Sequence, residues 1–324
     1  MRAQVLTAVV LFACSVQAFQ STAASPAVCL PQLFAPGVIS GPDHDAAPAF
    51  APDGRTVWFG RSDATHSTIL EAHLEAGRWS APRTASFSGR WRDMEPAMSP
   101  DGRYLVFVSN RPADGVGAPL DGFFMGQAFP GGGGNLWRVE RTADGWGAPA
   151  RLPDVVNSDT STFAPSVVAD GSLWFMHPTD GGRRFRLYRA QWRDDHFEAP
   201  QPLPFSDGSS TDVDPAAAPD ESFVVFGSNR PPARDMDLFI SFRNGSAWDT
   251  PRHLGNVVNS PGSDAEARLS PDARTLYFSS ERRSTAPGDR DAAWNNGKYN
   301  IWSVDLASCI GENSTAHLSI GRAQ

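Results

Sequence analysis

Residues 93–111 read DMEPAMSPDGRYLVFVSNR, and this stretch decides the fold. An acidic lead-in, Asp93 and Glu95, precedes a short apolar strand, and Pro100-Asp101-Gly102 supplies turn chemistry. An alternating strand follows, with Tyr104, Val106 and Val108 set against Leu105 and Phe107. Asp-Gly between two β-rich runs predicts a hairpin, because both turn positions tolerate positive φ. The same unit returns as HDAAPAFAPDGRTVWFGRS from His44, TFAPSVVADGSLWFMHP from Thr162, DVDPAAAPDESFVVFGSNR from Asp212 and DAEARLSPDARTLYFSSER from Asp264. Five copies of one hairpin predict a repeat architecture.

Each copy has a second half. After the hairpin of residues 93–111 come a strand of the type Asn135-Leu136-Trp137-Arg138-Val139, a turn at Asp144-Gly145, and an outer run from Trp146 through Pro149 to Leu152. Counterparts are Ile69-Leu70 with Trp79 and Pro82, Leu187-Tyr188 with Phe197 and Pro200, and Leu238-Phe239 with Trp248 and Pro251. Four strands recurring at roughly fifty residues describe the blades of a β-propeller. Proline suits a fourth strand on the outer edge, where a missing N–H costs nothing and sheet addition is discouraged.

The fifth copy lacks its outer run. Ile301-Trp302-Ser303-Val304 supplies its third strand, and Cys309 follows almost at once. Leu30-Pro31-Gln32-Leu33, just after Cys29, precedes the first acidic lead-in as Pro149 to Leu152 precedes the third copy. The expected fold is therefore all-β: a five-bladed propeller of four-stranded antiparallel blades, closed by the N-terminal strand, forming one domain over residues 25–309. Closure would bring Cys29 beside Cys309. In an oxidising compartment such a pair is a disulfide candidate, the other reading being two unrelated buried thiols. Residues 310–324 are expected to form a loose tail.

Composition narrows the function. The formal net charge of −8 leaves no basic stripe for phosphates, which argues against nucleic acid. Arg2, the apolar run from Val5 to Ala13 and the small residues Val16 and Ala18 have the layout of a secretory signal peptide over residues 1–24, with cleavage after Ala18 or Ala24. That run is too short to span a bilayer, and no later stretch is apolar enough to do so. Leu11-Phe12-Ala13-Cys14 resembles a lipoprotein box, but Phe12 fits it poorly and the leader would be short. The expected location is the periplasm or the medium, without a lipid anchor.

The pattern acidic-x-Glu-Pro-x-x-Ser-Pro-Asp-Gly, then Phe-x-Ser-x-Arg, then Trp, Pro and Leu, resembles the WD40-like (TolB-type) β-propeller repeats of bacterial envelope proteins. Pro96 to Gly102 and Ser109-Asn110-Arg111 carry the resemblance best. Val155-Val156-Asn157-Ser158 and Val257-Val258-Asn259-Ser260 resemble that family's inter-blade connections. The family includes binding scaffolds, peptidase-associated propellers and a few lyase-like enzymes, so it implies a fold and not an activity.

Topology places the lead-ins and the Ser-x-Arg segments on one rim. That rim is expected to carry Asp45, Asp93, Glu95, Asp212, Asp214, Asp264 and Glu266, interleaved with Arg61, Arg111, Arg230 and Arg282. Repeated residues usually repeat one structural job, here bidentate Arg–carboxylate staples between neighbouring blades. The alternative is a polar ligand site, or a carboxylate pair serving as acid and base in glycoside chemistry. The ligand-binding candidates are Glu95, Arg111, His177, Asp214, Arg230, Glu266 and Arg282. In the third copy Thr162-Phe163-Ala164 replaces the acidic lead-in, and His177-Pro178 stands at the arginine position. There His177 is expected among rim carboxylates that would raise its pKa, with His44 near the same mouth.

Two insertions leave this rim. The first, between Arg111 and Asn135, carries Phe123, Phe124 and Phe129; the second, from Ser284 to Tyr299, carries Trp294. Their aromatics are candidates for a recognition surface or for a plug over the channel. The histidines and cysteines show no zinc spacing, and no contiguous calcium loop is visible, although a carboxylate-rich mouth suits Ca²⁺. No cofactor is expected. No Gly-x-Ser-x-Gly elbow occurs. The reading that follows is a monomeric, non-catalytic binding or scaffold propeller engaging a protein or glycan, with a carbohydrate-active hydrolase or lyase as the alternative.

Overall fold

A computed structural model describes residues 28–63, 65–179 and 181–311. The sequence readings on residues 1–24 and on most of the tail therefore lie outside the described residues. Five antiparallel blades form a ring. In the second blade, Asp93–Met98 is innermost, followed outward by Tyr104–Ser109, Asn135–Thr142 and the short Ala150–Arg151. The innermost strands of the others are His44–Phe50, Phe163–Val167, Asp212–Ala217 and Asp264–Leu269, and each packs against the innermost strands of its two neighbours.

Closure happens as the sequence predicts. Gln32–Leu33 pairs antiparallel with Asn300–Asp305 as the outer strand of the fifth blade. Cys29 and Cys309 are disulfide-bonded, with Cα atoms 4.8 Å apart. Cys309 belongs to a short helix, Leu306–Ile310, whose N-cap Asp305 accepts the Ser308 amide. Ile310, expected in the loose tail, ends that helix and packs on the core.

The turn between the first two strands differs from the expected two-residue form. Gly102 N donates to Ser99 O, so Pro100 and Asp101 are the central residues of a four-residue turn, and only Gly102 has positive φ. Proline presets the first central dihedral, and the Asp101 carboxylate accepts the Arg103 amide to lock the corner. Asp53, Asp170, Asp220 and Asp272 do the same in the other blades. Glu221 and Ala273 replace the glycine in the fourth and fifth blades and keep its positive φ.

Each innermost strand also carries a bulge. The register slips at Ala46/Ala49, Met94/Ala97, Phe163/Ser166, Val213/Ala216 and Ala265/Arg268. Ala47, Glu95, Ala164, Asp214 and Glu266 sit there with φ between 50° and 54°. Proline follows four of them, Glu266 excepted. A bulge leaves an unpaired position where a missing N–H is harmless, which explains the Glu-Pro element of the repeat.

The linkers between blades are pinned by one device in two chemistries. Ser40, Ser88 and Ser206 hydroxyls accept the third-strand amides of Ile301, Ile69 and Leu187. Asn157 and Asn259 side chains accept those of Leu136 and Leu238, and their own amides donate back to the same residues' carbonyls. The Val-Val-Asn-Ser linkers thus extend the sheet by one side chain. The outer runs are broken at proline: Gly145–Trp146 and Ala150–Arg151 pair separately with the third strand, on either side of Pro149. Trp146 instead reaches the first blade, edge-on to Trp58 at 5.4 Å. Between blades the core is aromatic, with Trp58, Trp174, Phe107, Phe226 and Phe278 fully buried.

Candidate functional site

The Asp–Arg pairs of the rim exist, but they lie within blades and not between them. Arg111 Nη2 meets Asp93 Oδ1 at 2.7 Å, while its Nε donates to Ser109 Oγ and Nη2 also reaches Phe87 O in the preceding linker. Arg230 repeats this with Asp212, Ser228 and Phe205 O, and Arg282 with Asp264, Ser280 and Val258 O. Each guanidinium stacks on two rings, Phe107 and Trp137 for Arg111, Phe226 and Phe239 for Arg230, Phe278 and Trp302 for Arg282. Each pair uses one carboxylate oxygen, so the staples are not bidentate. In the first blade Arg61 stands opposite Asp45, in the register of Ser109, and reaches both Asp45 and Ile39 O. Burial pushes Asp45 up to about 6 against the pull of Arg61. These arginines fasten each linker to its own blade.

The second acidic residue of each lead-in goes elsewhere. The bulge turns Glu95, Asp214 and Glu266 into the central channel. Glu95 accepts the Ala164 amide of the third blade at 2.6 Å, and Asp214 accepts the Glu266 amide of the fifth at 3.0 Å. Glu266 accepts from Ser279 Oγ and keeps part of its surface open. Inter-blade stapling therefore belongs to Glu95 and Asp214, while Glu266 is held within its own blade. Burial, reinforced by mutual repulsion with Asp214, raises Glu95 to about 7 and Glu266 to about 8, and burial raises Asp214 as well. The opposing charge is Arg268, one bulge away on the same strand as Glu266.

The third blade lacks the staple. Extending the Phe163–Met176 register places Thr162 opposite His177, so His177 holds the serine position and Thr179 the arginine position. His177 Nε2 lies 3.0 Å from Asp159 Oδ2 and 3.2 Å from Ser158 Oγ, both in the linker, and Nδ1 donates to Pro178 O. It meets a linker acid, not the ring of strand aspartates. Burial opposes ionisation of Asp159, yet the hydrogen bond and charge of His177 hold its carboxyl below the usual range. His44 accepts the Tyr299 amide and stacks edge-on to that ring; burial, then Lys298, lowers its pKa.

The first insertion fills the place the missing staple leaves. Gly122–Phe124 and Gln127–Phe129 form a hairpin laid over the third blade. Phe124 stacks on Phe129 at 4.1 Å and packs on Phe163 and Phe185. Ser161 Oγ accepts the Phe123 amide, Gly126 N donates to Gly182 O, and Thr160 Oγ1 donates to Asp121 O. Phe123 and Met125 remain 53% and 67% exposed, and Val116 in the same insertion is 70% exposed. The two readings of these aromatics are divided: Phe124 and Phe129 are seated, and Phe123 is displayed. Trp294, a candidate for the same surface, is buried and anchors the second insertion, its carbonyl accepting from Asn300.

Among the described residues no group of three His, Cys, Asp or Glu side chains is placed to hold a metal ion. No family model and no curated protein matches the chain. Solved structures do resemble it. A putative TolB from Agrobacterium tumefaciens is 17% identical over 74% of this chain and 70% of that chain, with a TM-score of 0.48. TolB from Acinetobacter baumannii is 14% identical over 81% and 55%, with a TM-score of 0.44. Hydrazine synthase from Kuenenia stuttgartiensis is 13% identical over 82% and 41%, with a TM-score of 0.50. At these identities the likeness speaks to the fold alone: a five-bladed β-propeller with TolB-type neighbours.

Proposed function

We propose that this chain is an exported, non-catalytic binding propeller of the bacterial envelope, engaging a protein partner through its inter-blade loop face. The observation that carries this reading is the hairpin of residues 122–129. It holds Phe123 and Met125 in solvent on a loop fixed from beneath by the Phe124–Phe129 stack and three hydrogen bonds. An exposed aromatic ring with few rotatable bonds binds a partner at low entropic cost, and a polarizable, adaptable thioether fits itself to the partner's surface. Asp45, Asp93, Asp212 and Asp264 are each engaged by an arginine and so are spent on the fold, which supports a binding role for the loops around them. The disulfide supports an oxidising compartment, and no described helix is long and apolar enough to cross a membrane.

The test compares chemical crosslinking in envelope preparations of the wild type, Phe123→Asp with Met125→Asp, and a control carrying Arg55→Glu on the turn face. A discrete crosslinked species that the hairpin variant loses and the control keeps supports the reading, provided thermal midpoints agree. Saccharide cleavage by the purified protein, abolished by Glu95→Gln, would replace it with the carbohydrate-active alternative.

A further inference from the structure

The hairpin of residues 122–129 is fastened at its turn and along one strand, and its other strand is open. Gly122–Phe124 and Gln127–Phe129 form a sheet of two, with no third strand beside Gln127–Phe129. Met125 and Gly126 make a two-residue turn with φ of 54° and 76°. In such a hairpin the pair flanking the turn, Phe124 and Gln127, exchanges hydrogen bonds, and the next pair, Phe123 and Ala128, does not. The bonds of Phe123 agree. Its N–H donates outward to Ser161 Oγ at 3.0 Å, and its carbonyl accepts from the same hydroxyl at 3.3 Å. By the same alternation the N–H and C=O of Ala128 point away from Phe123, into the open edge. Ala128 is exposed, and no described residue bonds to either group.

The blades guard their edges differently. Pro31, Pro82, Pro149, Pro200 and Pro251 stand in or beside the five outer strands, where proline discourages a further strand. Residues 122–129, GFFMGQAF, contain neither proline nor charge. The edge is also held in place. Ser161 fastens one strand, Gly126 N donates to Gly182 O at the turn, and Phe124, stacked on Phe129, packs on Phe163 of the third blade. An added strand meets a preformed template and has only itself to order.

We propose, building on the partner surface described above, that the partner is bound by strand addition: an extended segment of it pairs antiparallel with Gln127–Phe129 and exchanges two backbone hydrogen bonds with Ala128. Directly opposed residues share a face of a sheet, so the partner residue opposite Ala128 stands on the solvent face that Phe123 occupies. The small Ala128 methyl leaves room above the sheet, which favours a large apolar side chain at that residue. Proline is excluded there, because it lacks the N–H that Ala128 O accepts.

The test uses the isotope-labelled full chain and, as probe, the peptide N-acetyl-Thr-Val-Leu-Val-Thr-amide, with a twin N-methylated at its leucine. At about ten times its dissociation constant the plain peptide is expected to shift the Ala128 amide signal and to slow its hydrogen exchange about tenfold. The twin is expected to do neither. Ala128→Pro is expected to abolish binding, and Ala128→Thr, which keeps the N–H, to retain it. The wild-type readout does not depend on a variant folding. No shift at Ala128 with the plain peptide, or an equal shift with its twin, overturns the proposal. Crosslinking in envelope preparations separates this mode from the surface itself. A species lost with Phe123→Asp and Met125→Asp but kept with Ala128→Pro leaves the partner surface standing and overturns strand addition. Loss with Ala128→Pro and retention with Ala128→Thr, at equal thermal midpoints, supports it. No species, or one kept in every variant, removes both.

Discussion

Removing Asp93 tests whether the rim arginines are structural staples or ligand groups. In the Asp93–Arg111 pair the side chains are 0% and 9% exposed, with a 2.7 Å contact. Truncating one partner of a buried pair leaves an uncompensated charge and costs about 3–5 kcal/mol. Asp93→Ala also frees Ser88 Oγ and loosens Phe87, which Arg111 holds through its carbonyl. Arg111→Met should cost less, because a straight apolar chain can keep packing on Phe107 and Trp137. The double variant should recover about 2–3 kcal/mol relative to the sum of the singles. An internal control exists: Arg103–Asp101 is as close, at 2.5 Å, but 80% and 44% exposed. Its coupling should stay below about 1 kcal/mol. Urea titration followed by tryptophan fluorescence, with the disulfide intact, measures both cycles. A coupling at Asp93–Arg111 no larger than at Asp101–Arg103 would refute the staple and return Arg111 to the ligand candidates.

Three further outcomes follow from particular contacts. Glu95 and Glu266 bind protons more tightly when folded, with values raised from 4.5 to about 7 and about 8, so their stabilisation is complete below about pH 4.5 and is lost as pH rises towards 8. The urea midpoint should fall over that window and fall less in Glu266→Gln; a wild-type profile no steeper than the variant's contradicts the assignment. Cys29–Cys309 closes a chain separation of 280 residues, for which loop entropy gives at most about 6 kcal/mol. Reduction or Cys29→Ser should approach that loss by denaturant titration, and a change below about 1 kcal/mol would mean the Gln32–Leu33 strand closes the ring unaided. A Cβ on Gly134 would lie 2.5 Å from Phe163 and 2.7 Å from Val108. Gly134→Ala should therefore cost about 1–3 kcal/mol in the same titration and disturb the seat of the hairpin; a neutral result would show that Phe163 can yield.

Strand order and blade number were legible in the sequence because each rests on local signals that repeat. Period-two alternation and Pro-Asp-Gly corners lie within a few residues of what they specify, and ring closure is legible because the fifth copy lacks the outer run that Leu30–Leu33, near Cys29, supplies from the other end of the chain. The residues expected together on the rim fall into two groups in the structure. Asp93 and Glu95 are two apart and would share a face in a regular strand, but the intervening bulge sends one to Arg111 and the other to the channel. Phe124 and Trp294 share a polar, glycine-rich context with Phe123, and nothing in that context says which ring is displayed. Arg268 did leave a signal: an arginine where the other four copies have Ala49, Ala97, Ser166 and Ala216.

Hydrophobic period and turn chemistry act over short distances, so the five repeated blades are written in the sequence, and the missing outer run of the fifth copy points to the strand that closes the ring, with Cys29 and Cys309 left as a candidate pair. Which charges meet is set in three dimensions. A one-residue slip in an innermost strand reverses the direction of its side chains. Burial of the resulting groups then sets their protonation, and both depend on neighbours hundreds of residues away in the chain.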